Sequence, residues 1–483
     1  MNAEKKLLKS KLFWVGILYF AEGFPLGIFY DVFPVYFRQQ GIELKQIGLL
    51  SLLGLGWTLK FLWAPAIDYY RHHRLWMFSV DLLMGALMVW FAMTVGFGIW
   101  VWIAIGAFTA LSATNDIAID GYTIEFLEKD ELGLANGVRI GMYRIGVLAS
   151  GFLLVASDYL QWRGAFIIAA LIFCVSAALS LLAPKEKQIV REKTLNLASE
   201  LKNIVLDPYA FSAVLLFILG TIWLINRETK WSGLHENFWI IAFLIAFLIW
   251  AISLAFRSRR PNEGKAKLSE GPLFGALMEM LSRRYIFPVI AFVLIFKLAD
   301  SAMGFMIKPF WVDAGFSATE IGLVSVNIGL VLSIAGGLTG GWFTDRVGIF
   351  SSLWILGLLQ AFSNLGYWLA ASVLPLNPVA EIPIQHQALI YTASALESFT
   401  GGLGTAAFLA FLMVIVDKKH AATEYALLSS VFALSRSFSG WAGGFGAQTL
   451  GYAPYFLLTF FLAFPAYLLL PWVKKMLRST DEA

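Results

Sequence analysis

Long apolar runs, separated by short stretches rich in charge, proline, glycine or asparagine, cover almost the whole chain. A helix needs about 20 apolar residues to cross a bilayer core about 30 Å thick. By that measure the pattern predicts fourteen membrane helices, at about 12–37, 47–67, 75–97, 100–126, 134–157, 164–183, 209–226, 237–256, 286–311, 320–343, 352–374, 388–416, 425–449 and 453–472. The first run follows Lys5, Lys6, Lys9 and Lys11, a charge pattern that secretory leaders share. It is too long for a leader's apolar region and lacks a clear small-residue cleavage site, so it predicts a retained span.

Composition agrees with that reading. Apolar residues make up 59% of the 483, and charged residues only 14%, against about 25% in an ordinary soluble protein. A soluble globule of this size needs more polar surface. A net charge of +4 is too small to argue for nucleic acid. The only cysteine, Cys174, lies inside an apolar run, so no intrachain disulfide is expected. His72, His73, His235, His386 and His420 all fall outside the predicted spans, which argues against an intramembrane haem or zinc centre. No cofactor or metal is expected. A membrane enzyme is disfavoured because no histidine base sits beside a nucleophile in a span.

Lysine and arginine set the orientation. With the N-terminus in the cytoplasm, cytoplasmic segments hold 25 of the 36 basic residues, outer loops hold 5, and Lys60, Arg139, Arg144, Lys297, Lys308 and Arg436 remain inside spans. That asymmetry predicts cytoplasmic termini at both ends. The longest polar stretches, 184–208 and 257–285, are basic and bracket two almost uniformly apolar spans. These read as a hairpin inserted between an N-terminal half at 1–183 and a C-terminal half at 286–483.

The halves resemble each other. Gly41-Ile-Glu-Leu-Lys-Gln-Ile-Gly48 precedes a span ending at Asp68, and Gly315-Phe-Ser-Ala-Thr-Glu-Ile-Gly322 precedes one ending at Thr344-Asp345-Arg346. Each follows an opening span with a proline near its outer end, Pro34 or Pro309. Paired six-helix halves define the major facilitator architecture, whose site lies between them near the midplane. The expected fold is therefore an all-α polytopic major facilitator with about fourteen transmembrane helices. Asp68, Arg71 and Arg74, with Asp345 and Arg346, resemble that superfamily's signature loop, and with Lys60 they are candidates for a cytoplasmic gate. Plain positive-inside anchoring explains the loop charges equally well.

Charge at mid-membrane costs at least about 2.5–3.5 kcal/mol on insertion scales and needs a partner, water or a function. Glu22 sits in Tyr19-Phe-Ala-Glu22-Gly23-Phe-Pro25-Leu-Gly27, which predicts a broken or kinked helix with backbone groups free to meet substrate. Asp116 and Asp120 share one helix face, with Glu125 a turn beyond, and Arg144 is their expected partner. Lys297 and Asp300 are placed to pair locally. Glu22, Asp116, Asp120 and Asp300 are the candidate proton carriers. Asn115, Tyr122, Tyr143, Arg144, Lys297, Glu397 and Arg436 are the candidate substrate contacts, the arginines suiting an anionic or hydroxyl-rich solute. Interhelical packing is the competing use for all of these groups.

Several motifs, taken in order, resemble one family. They are Leu59-Lys-Phe-Leu-Trp-Ala-Pro65 with Asp68, Ser112-Ala-Thr-Asn-Asp-Ile-Ala-Ile-Asp-Gly-Tyr122, Ala135-Asn-Gly with Tyr143-Arg144, Phe296-Lys-Leu-Ala-Asp300, Glu397 with Gly401-Gly-Leu-Gly404, and Tyr425-Ala-Leu-Leu-Ser-Ser430. The set is similar to the AmpG-type muropeptide permeases of the major facilitator superfamily and shares features with the related acetyl-CoA transporters, toward which Gly121 leans. The resemblance implies a proton-driven importer of anhydro-muropeptides in a bacterial inner membrane. It implies a small-molecule substrate, protons and the lipid bilayer as partners, and a chain acting as a monomer. An acetyl-CoA or other anionic-metabolite carrier, and a siderophore or drug transporter, remain open on the same scaffold.

Overall fold

The computed structural model describes residues 10–60, 72–94, 97–127, 132–185, 283–378, 382–416 and 421–481, with a few single positions between them. The expected hairpin at 209–256 and the gate residues Asp68 and Arg71 lie outside the described residues. The account below concerns the unit formed by residues 1–188, 287–417 and 425–483. Every ordered element in the described residues is helical.

The N-terminal series comprises α1 (Lys11–Gly27), a π-helical segment (Ile28–Val32), α2 (Phe33–Gln39), α3 (Leu44–Leu53), α4 (Leu55–Leu59), α5 (His73–Met93), α6 (Ile99–Phe126) and α7 (Leu132–Leu182). The C-terminal series comprises α8 (Ile286–Phe296), α9 (Leu298–Asp313), α10 (Ala318–Glu320), a second π-helical segment (Ile321–Ile328), α11 (Gly329–Val347), α12 (Ile349–Val373), α13 (Ile384–Val414), α14 (Ala421–Leu450), α15 (Tyr452–Leu462), a 3₁₀ segment (Phe464–Leu469) and α16 (Leu470–Asp481). Among the described residues nine helical stretches are long and apolar enough to cross a membrane.

Local chemistry explains where the helices depart from the expected spans. The 51 residues of α7 are too many for one crossing, and Gln161 (φ 59°, ψ 170°) turns the chain between two expected spans. The second expected span divides into α3 and α4 at Gly54. Pro465 opens the 3₁₀ segment that interrupts the last one. Histidines 73 and 386 lie in the first turns of α5 and α13 rather than in loops, and His73 is buried.

Of the break or kink expected at Gly23–Pro25–Gly27, the break does not occur. Pro25 lies within continuous α1, and the disturbance moves onward into the wide turns of Ile28–Val32. A π segment accommodates the missing amide bond without ending the helix. Gly23 and Gly27 serve packing instead. A Cβ at Gly23 would collide with the Tyr143 carbonyl and one at Gly27 with the Ser150 hydroxyl, so α1 and α7 meet backbone to backbone.

The two related octapeptides adopt the same backbone. Gly41 and Gly315 take φ +77° and +88°. The Gly41 and Ile42 amides donate to Arg38 O and Phe37 O, and the Gly315 and Phe316 amides donate to Val312 O and Trp311 O. Both are Schellman endings, which satisfy the last carbonyls of a helix through a left-handed residue. Large apolar side chains such as Trp100, Phe287 and Leu338 point outward and are exposed, as a bilayer solvent requires. Cys174 is exposed too.

Candidate functional site

Four helices of the N-terminal series bring a cluster of charge together. The Tyr19 hydroxyl donates to Asp120 Oδ1 at 2.6 Å, and Arg139 Nη2 donates to the same oxygen at 2.8 Å. The Arg139 guanidinium also lies 4.4 Å from the Tyr19 ring centroid. Lys60 Nζ meets Asp116 Oδ2 at 3.4 Å. Glu22 lies within electrostatic reach of Asp116, Asp120, Lys60 and Arg139. Its Oε2 is buried without a hydrogen-bond partner. Three carboxylates thus face two cations, and Glu22 is the one left over.

This pairing differs from the expected one. Arg139, not Arg144, holds Asp120, because Arg144 sits five residues further along the helix and faces a different side. Lys60, expected as a gate candidate, is brought into this cluster by its contact with Asp116. Asn115 is fully buried, and its amide donates to Asp81 Oδ1 at 2.9 Å. Tyr122 is 1% exposed and donates to the Pro184 carbonyl. Both are buried and held by these bonds. Gly121 has a packing reason of its own, since a Cβ there would lie 2.7 Å from His73 Cε1.

The C-terminal series carries a separate network. Lys297 Nζ donates to Gln360 Oε1 at 2.8 Å and meets Asp300 Oδ2 at 3.4 Å. Glu397 lies within electrostatic reach of Asp300, Lys308 and Lys297, and accepts from the Ser398 hydroxyl. Asp345 and Arg346 are exposed, with Arg346 stacked on Trp342 at 4.4 Å, and Arg74 Nε donates to Ser180 O at 3.4 Å. The structure does not bring these three loop charges into one group.

Bonds joining the two series gather near the Gly41 and Gly315 turns. Arg38 grips Asp313 with two contacts of 2.6 Å, and the Tyr452 hydroxyl adds a third at 2.7 Å. The Thr319 amide donates to Asp158 at 2.6 Å, the Leu44 amide to Gln448 at 3.0 Å, and the Ser51 hydroxyl to Ser437 O at 2.6 Å. Gly48 abuts Gly444, and Gly322 abuts the Gly151 backbone, so the series touch without side chains between them. Deeper in the helices, Lys308 Nζ donates to Ser325 Oγ at 2.7 Å and lies 3.6 Å from Asp31 Oδ1.

Two arginines stand apart. Arg144 and Arg436 are half-buried, and among the described residues neither has a carboxylate within ion-pairing distance. They come from different series, yet both act electrostatically on the Tyr143 hydroxyl. The Arg436 guanidinium lies 3.9 Å from the Tyr30 ring centroid. A ring occupies the guanidinium's flat face and leaves its in-plane N–H groups unspent.

Sequence reasoning missed Asp81, Arg38, Asp313 and Tyr452, and left Asp31 and Lys308 without roles. One signal was available: each opening span carries two opposite charges around its proline, Asp31 and Arg38 about Pro34, Lys308 and Asp313 about Pro309.

Residues 15–229 match the family model of the Major Facilitator Superfamily. The anhydromuropeptide permease of Escherichia coli K12 is 26% identical over 474 residues, covering 96% of this chain and 80% of the permease. A putative transporter AmpG 4 from Rickettsia conorii is 24% identical, covering 98% of this chain and 99% of that one. Among solved structures, the POT family transporter PepTSo superposes with a TM-score of 0.65 at 12% identity, with 98% of each chain covered. A bacterial homologue of the lysosomal transporter Spinster gives 0.64 at 11% identity, again with 98% of each covered. The protein is thus a membrane transporter. It is similar to the AmpG-type permeases of the Major Facilitator Superfamily, and its relatives are named permeases and transporters, not enzymes.

Proposed function

We propose that the protein imports anhydro-muropeptides across a bacterial inner membrane by alternating access, driven by the proton gradient. The observation that carries this reading is the pair Arg144 and Arg436, cations from two series that have no carboxylate within ion-pairing distance among the described residues. A solute bearing a carboxylate, as muramic acid does, supplies the missing charge. The match to the permease over nearly the whole chain supports the same substrate class.

The architecture we infer is two six-helix halves, 1–183 and 286–483, with an inserted hairpin at about 209–256, fourteen helices in all and both termini cytoplasmic. The shared Schellman turns at Gly41 and Gly315 support the two-fold relation. In that frame the Arg38–Asp313 end is periplasmic, and the clasp there is the closed outer gate of an inward-facing carrier. Glu22 is the proton carrier of the N-terminal cluster, with Asp116 and Asp120 beside it and Asp300 in the opposite half. Lys297 and Glu397 line the substrate path, and Asp68, Arg71, Arg74, Asp345 and Arg346 form the cytoplasmic gate.

The test is uptake of labelled anhydro-muropeptide into proteoliposomes, with and without an inward proton gradient, and with unlabelled acetyl-CoA as competitor. Gradient-stimulated uptake that acetyl-CoA leaves unchanged is the expected result. Absence of uptake by folded protein overturns the substrate, and inhibition by acetyl-CoA transfers the assignment to a CoA thioester.

A further inference from the structure

The ion pairs of the membrane interior fall into two kinds. Asp116, Asp120 and Asp300 have partners only from their own series. Asp31 is different: its pair with Lys308 joins the N-terminal to the C-terminal series within the span. Lys308 and Arg436 are the charged groups that act on it among the described residues. The neighbouring polar groups are Ser325, bonded to Lys308, and Tyr30, beneath Arg436. Asp31 and Ser325 both lie on π-helical segments, the irregularity that helices carry most often at functional sites.

Arg436 is therefore shared. It is too far from Asp31 for an ion pair, yet its charge acts on that carboxylate and, together with that of Arg144, on Tyr143. We propose that Asp31 and the substrate's carboxylate compete for the same two cations, Lys308 and Arg436, and that this exchange couples transport to protons. When Asp31 takes a proton its negative charge is lost, Lys308 keeps the Ser325 bond and the more distant Glu397, and both cations become available to an incoming carboxylate. When Asp31 ionises it recaptures Lys308, and the substrate carboxylate leaves. Proton and anion then bind with mutual reinforcement, as linkage requires, and the pair moves without adding charge to the site. The inference rests on the anionic-substrate reading above and adds the residue that links the two ligands.

The experiment measures binding of anhydro-muropeptide to the purified full-length protein from pH 8 to pH 5. Wild type is expected to bind more tightly as pH falls, by up to about tenfold per pH unit where one proton is linked. Asp31→Asn is expected to bind tightly with a slope one linked proton shallower than wild type, and Lys308→Gln weakly throughout. An Asp31→Asn slope equal to wild type overturns the proposal, as does a flat wild-type curve. A second arm needs no substrate. Spin labels at Gln40 and Leu376, both exposed, are placed in a Cys174→Ser background and read by pulsed dipolar spectroscopy. The distance is expected to lengthen on acidification in wild type and to be long at both pH values in Asp31→Asn. If wild type binds no muropeptide, the substrate reading falls and this arm decides the link alone: equal pH responses in the two proteins overturn it.

Discussion

Glu22 and Asp31 sit on one continuous stretch of helix, nine residues apart. Glu22 faces a cluster built wholly from the N-terminal series, where Lys60 and Arg139 already hold Asp116 and Asp120. Asp31 faces two cations of the other series. A proton arriving at Glu22 alters bonding inside one rigid packing unit. A proton arriving at Asp31 alters what joins two of them. Both are carboxylates on one helix, so partner identity decides what each titration does to the molecule.

The sharpest break is steric. Gly48→Val places a Cβ 2.6 Å from Gly444 Cα, where neither backbone can retreat. This variant is expected to lose uptake entirely, with cysteines placed near Gly41 labelled freely by an impermeant thiol reagent. Retained uptake would show that the close approach is not needed for the cycle.

Next comes Glu22→Gln. We expect gradient-driven accumulation to fall about tenfold, the scale of one lost proton equilibrium, while exchange of labelled for unlabelled solute without a gradient persists. Equal loss of both modes would make Glu22 a packing residue. Arg38→Lys keeps the charge but forfeits the two-pronged grip on Asp313. Thermal stability in detergent is expected to drop by about 1–2 kcal/mol, a fraction of what removing one partner of a buried pair costs, and Arg38→Ala should lose more. Thr114→Val should have a small effect, within about 1 kcal/mol in stability, because it removes only a part-buried contact with Trp63 Nε1 at 3.1 Å and a bond to its own helix at Ala110 O. A large effect there would enlarge the N-terminal cluster beyond its charged members.

Much of the fold was legible because bilayer crossing imposes one length and one polarity on every helix. Nine of the expected spans coincide closely with described helices, and the Gln161 turn separates two more inside α7. The site was legible as a list of charges but not as pairs. Helical phase put Asp116 and Asp120 on one face, yet which arginine reaches them depends on the rotation of α7, and α7 is fixed by backbone contact at Gly23 and Gly27. The helix break expected at those glycines failed for the same reason: small residues beside a proline mark close packing as readily as an opening. Asp31–Lys308 and Arg38–Asp313 span over 270 positions, and no local pattern reports a pairing of that range.

The two inter-series pairs have opposite polarity. The first opening helix presents an acid at Asp31 and a base at Arg38, and its counterpart answers with a base at Lys308 and an acid at Asp313. Such an arrangement works as a register key. Sliding one helix along the other would bring like charges face to face, whereas tilting them apart parts each rung cleanly. Such a key favours a hinge over a shear, so a separation of the two helices at this end would tilt them apart while they keep their alignment.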